Sequence, residues 1–261
     1  MPGSKTYRWA AGAFGLLLAT LTVAAGLHGQ PAAAGKGAPA APPSQVPPLA
    51  ETGFQSMFDG RTLSGWDGDP DFWRVENGEI VGETRQDHQP KQNTFLVWRD
   101  GKPADFEMKM QYKLSGAQAN SGLQYRSVEL PEVARWVLKG YQADIDIAQT
   151  YTGQMYEERN RGFLSLRGQI SYIPDGGKAG SVGSTGDTNE LKGFINAADW
   201  NEMHVIARGN TLIHLINGHV MSITIDDDRA NRRMDGVIGI QLHLTQSGMK
   251  MEVKNVRMKQ F

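Results

Sequence analysis

The sequence predicts an all-β sandwich, and three observations carry that prediction. Short runs of alternating apolar and polar residues recur along the chain, clusters of Gly, Asn and Asp separate them, and segments with helical periodicity are scarce. Candidate strands fall at residues 72–75, 79–82, 94–98, 106–114, 122–127, 141–147, 201–208, 211–216, 219–226, 237–244 and 251–258. The run at 106–114 is the ordinary half-buried pattern: Phe106, Met108, Met110, Tyr112 and Leu114 face a core, and Glu107, Lys109, Gln111 and Lys113 face water. Between 211–216 and 219–226, Asn217-Gly218 supplies the two positive-φ positions that a type I′ hairpin needs. One short helix is expected at 188–195, with Asp187 as N-cap and Glu190 placed for a capping box. The interval 150–198 shows no strand pattern, holds Gly176, Gly177, Gly180, Gly183 and Gly186, and reads as a long loop of the kind that is functional or disordered.

Ahead of the sandwich, Lys5 and Arg8 precede an uncharged stretch over residues 9–27, so residues 1–28 read as a signal peptide or a membrane anchor. Residues 29–52 are rich in Pro, Ala and Gly and read as a linker, which leaves 53–261 as one folded domain. A periplasmic or secreted location follows, with membrane contact only if the leader is uncleaved. The chain has no cysteine, which removes disulfides, thiolate nucleophiles and sulfur-based zinc sites. A net charge of −1, with no basic cluster, phosphate loop or dinucleotide fingerprint, gives no reason to expect nucleic acid.

Three strands carry polar faces opposite apolar ones. In 140–149, Tyr141, Ala143, Ile145 and Ile147 point one way while Gln142, Asp144 and Asp146 point the other, with same-face side chains roughly 7 Å apart. In 120–126, Asn120, Gln124 and Arg126 share a face; in 235–244, Gln241 and His243 oppose Ile238, Ile240, Leu242 and Leu244. Amides, carboxylates, a guanidinium and an imidazole are the groups that recognise sugar hydroxyls, so neighbouring strands would make a polyol site. Glu157, in the charged knot 157–161, follows directly on the Asp144 strand and could fold over the same face; otherwise it belongs to a surface loop with internal ion pairs. His204 and His214, inside strands, read as structural residues, His88 as a loop residue that could rim a site, and Asp226-Asp227-Asp228 as a solvated turn.

An ordered set of motifs resembles a known family. FQSMFDGRTLSGW at 54–66, WRVENG at 73–78, DFE at 105–107, NSG at 120–122, Gly140-Tyr141, Trp200-Asn201, Asn217-Gly218, GIQLH at 239–243 and NVR at 255–257 together look like the 3-keto-disaccharide hydrolase domain family. The resemblance spans essentially everything after Gly53 and implies a concanavalin A-like jelly roll with long loops, exported by bacteria and acting on glycosides already oxidised at C3. Many members read Gly-Tyr-Glu-x-Gln-Ile where this chain has Gly140-Tyr141-Gln142-Ala143-Asp144-Ile145, so the carboxylate lies two residues further along the same face.

The implied chemistry is proton abstraction at C2, acidified by the C3 ketone, with elimination of the aglycone from C1 and hydration of the resulting glucal. It calls for a base, an enolate stabiliser and an acid. Asp144 or Asp146 suits the base, Arg126 the enolate, and His243 or Glu157 the departing oxygen, with Gln124, Gln142, Asn120 and Gln241 as substrate ligands. No cofactor is required; a divalent cation held by Asp144, Asp146 and His243 could replace the enolate stabiliser. The partner implied is a 3-keto-glycoside or another carbohydrate. Two rival readings stand beside this one. A conventional retaining glycosidase lacks its acid, since Gln149 occupies that position. A carbohydrate-binding module without turnover would show surface tryptophans; of Trp66, Trp73, Trp98, Trp136 and Trp200, only Trp136 lies in a segment without a core pattern.

Overall fold

The computed structural model describes residues 51–261, so the expected leader and residues 29–50 of the expected linker lie outside the described residues. The strands in chain order are β1 (Gln55–Ser56), β2 (Trp66–Asp67), β3 (Trp73–Glu76), β4 (Glu79–Thr84), β5 (Thr94–Trp98), β6 (Phe106–Ser115), β7 (Asn120–Glu129), β8 (Leu138–Asp146), β9 (Met155–Glu158), β10 (Gly162–Ser165), β11 (Gln169–Ile173), β12 (Gly180–Ser184), β13 (Asn201–Arg208), β14 (Thr211–Ile216), β15 (His219–Asp226), β16 (Val237–Leu242) and β17 (Met249–Gln260). They form the expected jelly-roll sandwich. One sheet runs β12-β11-β15-β14-β13-β6-β17-β4-β3, with β1 added on β17; the other runs β10-β9-β8-β7-β16-β5-β2. Among the described residues no helix is long and apolar enough to cross a membrane.

The core is the space between the sheets. The inward residues of β6 meet Leu123 and Tyr125 of β7, Tyr141, Ala143 and Ile145 of β8, and Ile238, Ile240 and Leu242 of β16, all of them buried. Each of the Leu, Ile, Met and Phe side chains among them contributes roughly 1.5–3 kcal/mol on leaving water. Strand alternation therefore fixes which side chains of β7, β8 and β16 are left for the outer face. The β14–β15 hairpin forms as expected, with Asn217 at φ 50° and Gly218 at φ 82°. Helix α1 (Thr188–Lys192) starts where expected, because the Asp187 carboxylate accepts the N–H groups of Asn189 and Glu190. His214 is fully buried against the Tyr125 hydroxyl, 2.9 Å away, and burial pulls its pKa down to about 4, so this imidazole is a neutral core group.

The interval 150–198 is not a loop: β9 to β12 lie within it. These strands escape pattern reading because they are short, and because β11 is held by parallel pairing to β15, far along the chain, while every residue of β12 is exposed. Asp226 does not lie in a solvated turn. It is buried, accepts the Tyr141 hydroxyl at 2.6 Å and the Arg161 guanidinium at 2.6 Å, and Arg161 also donates to Glu157 and Asp228. A four-residue ion cluster thus ties the turn after β9 to the end of β15.

Candidate functional site

The outer face of the seven-stranded sheet holds a hollow of about 310 Å³ lined by Asn93, Asn120, Gln142, Asp144, Tyr151, Tyr156, Glu158, Phe163, Gln241 and His243. Its floor follows from strand register. Gln142 on β8 pairs with Gln124 on β7, and Asp144 with Gly122; Ile240 on β16 pairs with Leu123, which sets Gln241 beside Gly122 on the other side. Gly122 leaves the floor bare where a side chain would otherwise stand. A Cβ there would meet the Gln142 Cγ and Cδ at 2.6 Å.

Asp144 is the chemical centre of this floor. Only 5% of it is exposed, and its carboxyl is pushed up to about 8. Burial is the main cause, the neighbouring carboxylates of Asp146 and Glu158 add to it, and a hydrogen bond from Gln142 Nε2 at 2.6 Å opposes it. The remaining amide groups are poised rather than satisfied. Gln142 Oε1 and Gln241 Nε2 are buried without a protein partner, an arrangement that costs roughly 1–3 kcal/mol per group unless a ligand takes them up. His243 sits one residue beyond the end of β16. Its Nδ1 donates to the Leu244 carbonyl at 2.6 Å, which leaves Nε2 as the free ring nitrogen.

The side wall is aromatic. Tyr151 and Phe163 stack with centroids 5.4 Å apart and an interplanar angle of 25°, and Phe163 meets Tyr156 edge-on at 5.0 Å. Tyr151 and Phe163 are each about two-fifths exposed, so their rings remain available as a surface on which a sugar ring could stack. Opposite, Asn93 donates to Glu158 at 3.4 Å and accepts the Leu244 N–H at 3.1 Å. Burial raises the Glu158 carboxyl, with Arg159, Asn93 and His243 pulling the other way.

The structure brings together five of the expected residues, namely Asn120, Gln142, Asp144, Gln241 and His243, and separates four others from them. Gln124 is on the same face but fully buried outside the lining of the hollow, bonded through Oε1 to Ser127. Arg126 is turned away. It lies at φ 45° in a break of the β7–β8 register, which swings its guanidinium onto the carbonyls of Ala104 and Gly209 and onto Asp105. Asp146 folds a turn instead of facing a ligand: its carboxylate accepts the N–H groups of Thr150, Tyr151 and Thr152 and the Thr152 hydroxyl, all at 2.8–2.9 Å. Glu157 points to the Arg161 cluster, and its neighbour Glu158 occupies the hollow, a one-residue slip that reverses the face on a strand. The expected cation set of Asp144, Asp146 and His243 is therefore not assembled, and among the described residues no group of three or more His, Cys, Asp or Glu side chains could hold a metal. Sequence reading missed Tyr151, Tyr156, Glu158, Phe163 and Asn93. The alternation of Met155 and Glu157 with Tyr156 and Glu158 was the signal for two of them.

A family profile described as a 3-keto-alpha-glucoside-1,2-lyase-like domain matches residues 53–259. The chain belongs to that family. The chain is similar to two solved structures from Parabacteroides distasonis ATCC 8503, each provisionally named a glycosyl hydrolase. The first shares 19% identity at a TM-score of 0.54 and matches over 80% of this chain and 94% of that one. The second shares 15% identity at a TM-score of 0.52 and matches over 80% of this chain and 99% of that one. At those identities the likeness speaks for the fold alone. No match was found among curated proteins.

Proposed function

We propose that the protein cleaves 3-keto-glycosides by removing the proton at C2 and expelling the aglycone from C1, and that it does so after export to the periplasm or beyond. The observation that carries this reading is the pairing of one buried carboxyl, raised to about 8, with an unpartnered amide donor on the same floor. Ionised Asp144 takes the C2 hydrogen, and the electron pair passes into the C2–C3 bond as the C3 carbonyl becomes an enolate. Gln241 Nε2, which has no protein acceptor, donates to that oxygen. The enolate then collapses back to the ketone, the C1–C2 double bond forms, and the C1–O bond breaks as the proton that Asp144 took from C2 is relayed through the free Nε2 of His243 to the departing oxygen, which leaves Asp144 ionised again. Water can add to the 2-hydroxy-3-keto-glucal in the same hollow. The steps as written use no cofactor. A base with a pKa near working pH combines availability with strength, which an ordinary surface aspartate would lack.

The exposed Tyr151 and Phe163 rings also suit a module that binds carbohydrate without turnover. Incubation of wild type and Asp144→Asn with a 3-keto-glucoside and with its unoxidised parent separates the two readings. Wild type is expected to consume the keto sugar alone, and the variant to lose at least ~10³-fold in rate. Inertness of both proteins, or full activity in the variant, would overturn the proposal.

A further inference from the structure

We propose that a second hollow, across β9 from the first, is a binding site for a tetrahedral oxyanion, phosphate or sulfate, free or carried as an ester on a sugar. It encloses about 250 Å³ at the start of β8, where Lys139, Arg229, Arg232 and Arg233 gather with Glu157 and Asn160. The two hollows lie on opposite faces of β9, since Glu157 lines this one and Glu158 the other. Lys139 also precedes Asp144 by five residues on β8, roughly 17 Å of strand. A ligand here would touch none of the groups assigned to the reaction.

Charge balance carries the assignment. The acids around this hollow are already taken: Arg161 holds Glu157, Asp226 and Asp228, and Arg232 holds Asp227 at 3.2 Å. Among the described residues, the side chains of Lys139, Arg229 and Arg233 have no acid, carbonyl or ring partner. Cations gathered in so small a volume repel one another, and an anion placed between them removes that repulsion. Guanidinium forks match pairs of oxygens on phosphate or sulfate, and an ammonium adds a point charge. The volume falls below the roughly 300–1,000 Å³ of pockets for drug-sized ligands, which suits one oxyanion group and not a length of sugar chain.

The segment that carries the arginines is fixed by its backbone, which leaves those side chains free for a ligand. The Asp228 carbonyl accepts the N–H groups of Asn231 and Arg232, the Asp228 carboxylate accepts Asn231 Nδ2 at 2.7 Å, and Asp175 accepts the Arg229 N–H at 2.9 Å. At the other end, the Arg233 N–H reaches the Tyr141 hydroxyl at 3.2 Å, and the Arg233 carbonyl accepts from the buried Arg126 at 3.3 Å. A segment so anchored is not ordered by the ligand, so binding there spends no loop entropy.

Calorimetry at low ionic strength, with sodium phosphate, sodium sulfate and a sulfated monosaccharide as probes, tests this. Wild type is expected to bind one oxyanion per chain, and the double variant Arg229→Gln/Arg233→Gln to bind it at least ~10-fold more weakly. Arg61→Gln/Lys102→Gln removes two exposed cations elsewhere and is expected to leave the affinity within about twofold, which separates a site from diffuse attraction. Melting temperatures without anion check that both variants fold. Tighter binding of the sulfated sugar than of the free ions, lost in the arginine variant, assigns an ester; equal or weaker binding assigns the free ion. No binding of any probe, an affinity untouched by the arginine substitutions, or an equal loss in the control would overturn the site.

Discussion

Replacing Gln142 by methionine, which is close in volume, removes the one hydrogen bond that favours ionised Asp144 while leaving burial and the neighbouring carboxylates in place. A hydrogen bond to a charged group contributes roughly 1.5–3 kcal/mol, which corresponds to a rise of about one to two in pKa. The carboxyl should therefore move from about 8 to about 9–10. Because the ionised form is the base, kcat/KM for a 3-keto-glucoside should climb with pH through the Asp144 titration and level off above it. In the variant the climb shifts upward, so the rate near pH 7 falls about 10- to 100-fold and recovers in alkali. The assay is the pH dependence of kcat/KM for both proteins, with near-coincident plateaus expected. An unmoved titration accompanied by a lower plateau would refute the reasoning, since Gln142 would then act on the substrate and not on the carboxyl.

Asp144 also bears on stability. Its pKa is raised on folding, so it favours the folded state below about pH 4 and that contribution is lost as pH rises through about 8. Asp144→Asn should thus gain a few kcal/mol over wild type at pH 9 and little at pH 4, as read by denaturant unfolding at both values. Asp146→Ala strands three N–H groups of the following turn and should cost about 3 kcal/mol in the same measurement at pH 7; an unchanged midpoint would deny it the turn-forming role. Arg126→Met leaves the Ala104 and Gly209 carbonyls without their buried donor and should destabilise by about 3–5 kcal/mol, with kcat/KM per folded molecule within about twofold of wild type. A large activity loss at full stability would restore an enolate role for this guanidinium.

The floor of the site was legible in the sequence and its edges were not. Period-2 alternation names the face of a residue, and Asn120, Gln142, Asp144, Gln241 and His243 all keep theirs, because β7, β8 and β16 are hydrogen-bonded neighbours in the order β8-β7-β16. Alternation is blind to where pairing breaks. Arg126 lies in a register shift with positive φ, and Asp146 at the last position of β8, where the chain bends back on the carboxylate. Both carry the expected parity and neither reaches the hollow. The aromatic wall was hidden for a different reason. Tyr151, Tyr156 and Phe163 come from a turn and two four-residue strands, whose pairing depends on β8, so no local pattern announces them. The family motifs recovered the sandwich, since they sample its turns and core positions, but they do not run through this segment.

The bare backbone at Gly122 separates what can vary in this site from what cannot. Any side chain added there would push the Gln142 amide off the acid it steadies, and so would alter reactivity before it altered fit. Tyr151 and Phe163, by contrast, belong to the side wall and keep about two-fifths of their surface open to solvent. New sugars should thus be accommodated by exchanging rim segments, with the glycine inherited unchanged.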